Sequence, residues 1–92
     1  MNKEDLIAEV ANVTGSRKKA QAVLECMLNN ITSALKRKED VKLPGFGSFK
    51  ASFRKARTGM NPQTGESITI DERYIPKFSP SKTLKMIIEG DE

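Results

Sequence analysis

The residues of this 92-residue chain that are best suited to a chemical role are basic, and they concentrate in two stretches without acidic residues. Residues 41–65 contain five lysines and arginines, and residues 73–88 contain four more. The nine are Lys42, Lys50, Arg54, Lys55, Arg57, Arg73, Lys77, Lys82 and Lys85. The rest of the chain is acidic on balance, although the formal net charge of the whole is +4. Positive charge segregated in this way predicts contact with a polyanion.

Catalysis and metal binding have little support in the composition. The chain has one cysteine, Cys26, which excludes an intrachain disulfide. It has no histidine, which excludes a cysteine–histidine zinc cluster and a histidine general base. Ser48, Thr58 and the carboxylates show no spacing that pairs a nucleophile with a base. We therefore expect no enzyme activity, no metal and no cofactor.

The hydropathy of the sequence indicates the expected cellular location of the protein. No apolar run reaches the length of about 18 residues that a membrane helix needs. The first residues also lack the apolar centre of a signal peptide. We therefore expect a soluble, cytoplasmic protein without a membrane partner.

The first 38 residues predict two helices. Asn2 can cap the first helix, Gly15 suits its left-handed end, and Ser16 can cap a longer second helix. Apolar residues of the second helix form one broad stripe at helical spacing: Ala20, Val23, Leu24, Met27, Leu28, Ile31, Ala34 and Leu35. We expect this stripe to face a core and Cys26 to be a packing residue. Since a domain of this size buries little surface by itself, stabilisation by a second copy is expected.

From Val41 onward the period becomes that of a strand. Apolar residues from Phe49 to Phe53 alternate with polar and basic ones, and the same alternation returns before Asp71. The pattern predicts a long hairpin from about Phe49 to Asp71. Pro76 is expected to end strand pairing, because proline cannot donate to the ladder.

A short helix is predicted at the end of the chain. Pro80 suits the first helical position behind Ser79 as the N-cap, and Gly90 suits the position after the last turn.

The predicted hairpin tip lies between Gly59 and Gly65, which permit unusual backbone angles. Asn61 can form hydrogen bonds to base edges, and Pro62 is a rigid apolar group without a donor. Such a tip could enter the minor groove of DNA, which is about 6 Å wide. The same residues are also typical of a simple turn. The residue types alone leave both interpretations open.

Three segments of the chain resemble successive signatures of the bacterial HU/IHF histone-like proteins. These segments are Gly45–Phe49, Arg54–Glu66 and Ile75–Lys85. The resemblance covers essentially the whole chain. It implies an α+β fold and an intertwined dimer, with a two-helix base, an antiparallel sheet extended into a β-ribbon arm, and a short C-terminal helix. Residues 1–92 then form a single domain, with the base at about 2–38, the sheet and arm at about 41–78, and the last helix at about 80–89.

The resemblance also implies a function: an architectural protein of the nucleoid that binds the minor groove of double-stranded DNA with its arms. Members of that family insert an apolar wedge between base steps and kink the duplex. Pro62 takes the position of the wedge. The DNA-binding positions implied by the resemblance are Lys3, Arg54, Lys55, Arg57, Met60, Asn61, Pro62, Arg73, Lys82 and Lys85. The positions implied for an aromatic dimer core are Phe46, Phe49 and Phe78.

Two departures from the family pattern affect the expected specificity. Met60 stands where the family usually has arginine, so a cation that narrow A·T grooves attract is missing. Either affinity and A·T preference fall, or Met60 adds apolar surface to the wedge. Pro44 stands where one IHF subunit has an arginine for sequence-dependent contacts, which favours HU-like binding with little sequence specificity.

Alternatives remain at this point. A sequence-selective, IHF-like subunit would pair with a paralogue as a heterodimer, in place of the homodimer that we expect. A β-ribbon module could instead bind an acidic protein partner. RNA is a further partner that charge alone does not distinguish from DNA.

Overall fold

The computed structural model describes residues 1–90, which form three helices and five strands. In chain order they are α1 (Lys3–Thr14), α2 (Arg17–Lys36), β1 (Val41–Leu43), β2 (Gly47–Arg54), β3 (Arg57–Met60), β4 (Ser67–Ile70), β5 (Arg73–Pro80) and α3 (Lys82–Glu89). The predicted α+β class is confirmed. The chain divides into two compact units, residues 1–34 and the part from Leu35 onward. The last two residues of the predicted domain, 91 and 92, lie outside the described part.

The N-terminal unit begins with a complete capping box. The Asn2 side chain accepts a hydrogen bond from the backbone N–H of Asp5, and the Asp5 carboxylate accepts one from the backbone N–H of Asn2, each at 3.0 Å. Gly15 ends α1 in the left-handed region, with φ 78°. The Ser16 hydroxyl accepts a hydrogen bond from the backbone N–H of Lys19 and so caps α2. All three predicted cap positions are confirmed.

The core of this unit is small. Ile7, Ala20 and Leu24 are buried together, and much of the apolar stripe of α2 stays open in the single chain. Met27, for example, is 54% exposed. Cys26 is exposed too, so its expected packing role is not met within one protomer. The stripe therefore faces the protomer's own core only in part.

The second unit contains a three-stranded antiparallel sheet in the order β1-β2-β5. Pro76 lies inside β5, directly opposite Ala51 of β2, so the expectation that it ends pairing was wrong. The reason is that β5 pairs only with β2, and an edge strand tolerates proline where the ladder needs no donor.

The arm is a separate two-stranded sheet formed by β3 and β4, in register from Arg57 opposite Ile70 to Met60 opposite Ser67. The predicted hairpin was too short, since the partner of β2 is β5 and lies beyond Asp71. Gly65 adopts φ 74° as expected, whereas Gly59 lies within β3 without a positive φ.

The last helix begins two residues later than predicted. The Ser81 hydroxyl accepts a hydrogen bond from the backbone N–H of Leu84 at 3.0 Å, which makes Ser81 and not Ser79 the N-cap. Pro80 is the last residue of β5. Gly90 follows the helix with φ 82°, as expected. Within residues 1–90, no helix has the length and hydropathy needed to span a bilayer.

Candidate nucleic-acid interface

The register of β2 and β5 separates basic and aromatic side chains onto opposite faces of the sheet. Residues directly opposite each other in an antiparallel pair lie on the same face. Lys50 is opposite Lys77, and Arg54 is opposite Arg73. Lys42 of β1 is opposite Ser48, which lies on the same face as Lys50 because the two are two positions apart in the strand. We call the face defined by Lys42, Lys50, Arg54, Arg73 and Lys77 the basic face.

The other face carries the aromatic residues that the resemblance assigned to a dimer core. The Phe78 ring lies 5.5 Å from the Phe46 ring and 4.9 Å from the Phe49 ring, measured between centroids. Phe46 is nevertheless 47% exposed and Phe78 39% exposed in the single chain. The three predicted residues thus form one cluster, and this cluster is only partly covered by its own protomer.

A second aromatic pair lies near the base of the arm. Phe53 and Tyr74 meet edge to face with their centroids 5.3 Å apart. The Lys38 ammonium lies 4.6 Å from the centroid of the Tyr74 ring, a cation–π contact. Phe53 lies on the same face of β2 as Phe49 and directly opposite Tyr74 of β5.

Four predicted DNA-binding residues come together where the sheet passes into the arm. Arg54, Lys55, Arg57 and Arg73 line a concave site of about 450 Å³, with Ala56 as the remaining lining residue. The site contains four positive side chains and no acidic one in its lining. A concave, cationic surface of this kind favours binding of an anionic backbone.

The tip of the arm is a hydrogen-bonded turn built around Asn61. Its side-chain oxygen accepts from the backbone N–H of Gln63 at 2.9 Å, and its carbonyl accepts from the N–H of Gly65 at 2.7 Å. The turn interpretation of Asn61 is therefore correct. No group among residues 1–90 accepts a hydrogen bond from the Asn61 Nδ2, so the donor end of the side chain remains available. Pro62 is exposed and Met60 is 68% exposed.

The remaining predicted cations, Lys3, Lys82 and Lys85, are not among the residues that line the concave site. Lys82 and Lys85 are exposed on α3, and neither lines that site. Lys3 forms an ion pair with Glu25, with 3.6 Å between its Nζ and the carboxylate oxygen. Both side chains of this pair are about half exposed. Part of the Lys3 charge is therefore balanced within the protomer.

The charge pattern includes three further cations of the basic face, Lys42, Lys50 and Lys77, but the resemblance assigns them no contact with DNA. Their strand alternation was visible in the sequence, since Lys50 lies between Phe49 and Ala51. What was missing is the pairing of β2 with β5, which places Lys77 directly opposite Lys50.

An exposed ion pair with two hydrogen bonds lies in the segment between α2 and β1. The Arg37 guanidinium donates to both carboxylate oxygens of Glu39, at 3.1 and 3.2 Å. These hydrogen bonds, followed by the attraction between the charges, lower the pKa of Glu39 and raise the pKa of Arg37. Arg37 is thus neutralised locally, in contrast to the cations of the basic face.

A sheet that leads into a two-stranded arm, with a cationic concave site at the junction, is typical of proteins that bind a polyanion, and comparison with known proteins identifies the class. Residues 1–89 match the model of the family described as bacterial DNA-binding protein. HU of Thermotoga maritima is 48% identical over 86 residues, which are 92% of this chain and 96% of that protein. HU of Haemophilus influenzae is 49% identical over 90 residues, which are 97% and 100% of the two chains. The chain belongs to the HU family of bacterial DNA-binding proteins, and the predicted family is confirmed.

Solved structures agree with this assignment. The Anabaena HU–DNA cocrystal structure matches with a TM-score of 0.87 and 39% identity, covering 96% of this chain and 97% of that chain. HU from Thermotoga maritima matches with a TM-score of 0.66 and 32% identity, covering 96% and 98%.

Proposed function

We propose that this protein is a homodimeric, non-enzymatic architectural protein that bends double-stranded DNA from its minor groove, with little sequence specificity. It acts as a single domain and associates with the bacterial nucleoid in the cytoplasm. The observation that carries the proposal is the concave site of Arg54, Lys55, Arg57 and Arg73 at the base of an arm with an exposed Pro62 at its tip.

The homodimer is supported by apolar surface that one protomer leaves open. The aromatic cluster of Phe46, Phe49 and Phe78 is partly exposed, and so are Met27 and Leu28 on α2. Large exposed apolar surfaces mark interaction sites in small proteins. We propose that a second copy of the same chain covers these surfaces.

The arm is proposed to hold DNA in two ways. The concave site neutralises backbone phosphates, which supplies affinity independent of sequence. At the tip, Pro62 enters the minor groove as an apolar wedge, and unstacking one base step costs a few kcal/mol. Asn61 fixes the shape of the turn and directs its free Nδ2 to a base edge or sugar. Met60 is the last residue of β3, directly before Asn61, and we propose that it also contacts the groove.

Further phosphate contacts are proposed for Lys3, Lys82 and Lys85, all of which are exposed. If roughly eight phosphates are neutralised per dimer, log K falls with log salt at a slope of about −7. For Lys3, binding requires release from Glu25. Its contribution is therefore expected to be smaller than that of a free lysine.

A gel-shift series on linear, nicked and pre-bent duplexes of one sequence, at fixed salt, tests the proposal. We expect tighter binding to the nicked and pre-bent duplexes, because part of the deformation cost is already removed. Equal affinity for all three would contradict bending. A selected site bound far better than random DNA would indicate a sequence-selective subunit. Co-purification that resists nuclease, with no DNA retained, would indicate a protein partner, and equal binding to duplex RNA would contradict recognition of DNA shape.

A further inference from the structure

Two pairs of like charges lie directly opposite each other across β2 and β5. These pairs are Lys50 with Lys77 and Arg54 with Arg73, and all four side chains are exposed. Like charges at directly opposite positions destabilise a sheet. Within residues 1–90, none of the four forms an ion pair with an acidic side chain. The sheet therefore carries an electrostatic cost that its own residues do not relieve.

The lysine pair is distinct from the concave site at the base of the arm. Arg54 and Arg73 line that site, whereas Lys50 and Lys77 do not. Arg54 is four positions after Lys50, which corresponds to about 13 Å along a strand. Lys42 extends the positive charge in the other direction, since its partner Ser48 is two residues from Lys50. The charge of the lysine pair thus continues into the body of the sheet.

The neighbours of the lysine pair favour a phosphate backbone as the partner. Ser48, Ser52 and Ser79 share the basic face and are half-buried, so their hydroxyl groups can donate to phosphate oxygens. Ile75, opposite Ser52, is the single apolar side chain that β2 and β5 place on this face. Protein interfaces usually have an apolar core with few charges. A face with this composition suits a polyanion better than a protein.

We propose that Lys50 and Lys77 form a further phosphate-binding site for duplex DNA, located on the sheet and separate from the arm. Binding of a phosphate between the two ammonium groups replaces their mutual repulsion with attraction to one anion. The same pair that weakens the sheet of the free protein therefore strengthens its complex with DNA. This inference rests on the proposed function, because it assumes that duplex DNA is the polyanion.

A charge reversal at one residue of the pair separates these two effects. Lys50→Glu creates an opposite-charge pair with Lys77, which stabilises the sheet but repels phosphate. We expect the melting temperature of the free protein to rise by about 2–5 °C at low salt and fixed protein concentration. We expect its affinity for a random linear duplex to fall at least tenfold. Lys50→Gln should lower the log-salt slope by about 1 for each lost phosphate contact.

Two further variants provide the controls. In Lys50→Glu/Lys77→Glu, both charges are negative and the repulsion returns, so the gain in melting temperature should disappear while DNA binding stays weak. Lys36→Gln removes an exposed lysine of α2 that lies outside the sheet. It should leave the salt slope close to that of the wild type.

The possible results separate this site from the proposed function. A wild-type protein that does not distinguish pre-bent from linear DNA would contradict DNA bending, whatever the lysine variants do. If the wild type bends DNA but Lys50→Glu keeps its affinity and slope, the lysine pair is not a phosphate site. Two results together would contradict the cross-strand repulsion. In the first, Lys50→Glu melts no higher than the wild type. In the second, Lys50→Glu/Lys77→Glu melts no lower than Lys50→Glu.

Discussion

Arg54 and Arg73 lie directly opposite each other at the end of the pairing between β2 and β5, and both line the concave site at the base of the arm. Two guanidinium groups in this register repel each other in the free protein. Their arrangement is understandable if an anion lies between them in the functional state. This arrangement, which is unfavourable without a ligand, supports our proposal that the concave site binds an anion.

Arg57→Ala should weaken binding to every duplex sequence to a similar degree. Arg57 is the first residue of β3 and lines the concave site, where we propose that it contacts the DNA backbone. Removal of one phosphate contact lowers the log-salt slope by about 1. Fluorescence-anisotropy titrations of two unrelated duplexes at several salt concentrations measure both effects. A loss confined to one of the two sequences would point to base readout instead.

Pro62→Ala should reduce bending more than binding. The proposed wedge acts at one base step, whereas most of the affinity comes from phosphate contacts. Energy transfer between dyes on the two ends of a duplex reports the bend angle, and a gel shift on the same duplex reports affinity. Pro44→Ala, in the turn between β1 and β2, is a matched control that should bend DNA like the wild type. Equal bend angles for all three proteins would contradict the assignment of Pro62 as the wedge.

Local features of the fold could be predicted from the sequence because their determinants are adjacent in the chain. The caps at Asn2, Gly15 and Ser16 each depend on contacts within a few residues. The predictions that Pro76 ends strand pairing and that Ser79, rather than Ser81, caps the last helix were wrong, because both features depend on other elements. Pro76 is tolerated because β5 is an edge strand, and β5 extends to Pro80, which leaves Ser81 as the cap.

The same distinction applies to the candidate site. Arg54 and Arg57 are close in sequence, and the resemblance to a known family assigned them together. Arg73 was assigned in the same way, but its position opposite Arg54 required the register of β2 and β5. The charge pattern includes Lys50 and Lys77, but the resemblance assigns them no role, and only the register shows that they form a pair.

Gly47→Ala should destabilise the protein, because a methyl group there has no room. A Cβ at residue 47 would lie 2.6 Å from the Ser79 carbonyl oxygen and 2.7 Å from the Phe78 ring. Overpacking of this kind costs about 1–3 kcal/mol. Gly59→Ala is the matched control, since its Cβ would meet Ile70 at an ordinary 3.5 Å. Urea denaturation at fixed protein concentration compares the two, and equal midpoints would show that the sheet shifts to accept the methyl group at 47.

The Arg37–Glu39 pair should contribute stability that depends on pH. The hydrogen bonds from Arg37 and its charge hold the pKa of Glu39 below the usual 4.5. The folded state thus favours the carboxylate, so the contribution is present above about pH 4.5 and is lost as the pH falls through the lowered pKa. Glu39→Gln should therefore melt slightly below the wild type at neutral pH, and the difference should vanish in strong acid. Since the pair is exposed, salt should reduce the difference. A gap that persists in acid would assign the effect to something other than the ion pair.

Met60→Arg should shift binding toward A·T-rich DNA. The Met60 side chain is 68% exposed on β3, beside the turn that carries Pro62. An arginine there would place a cation in the narrow, electronegative groove of A·T tracts. Competition between A·T-rich and G·C-rich duplexes measures the preference, and Met60→Gln controls for loss of the apolar side chain without added charge. If Met60 belongs to the wedge, Met60→Gln lowers the bend angle. If it does not, Met60→Gln bends DNA like the wild type, and Met60→Arg alone changes the preference.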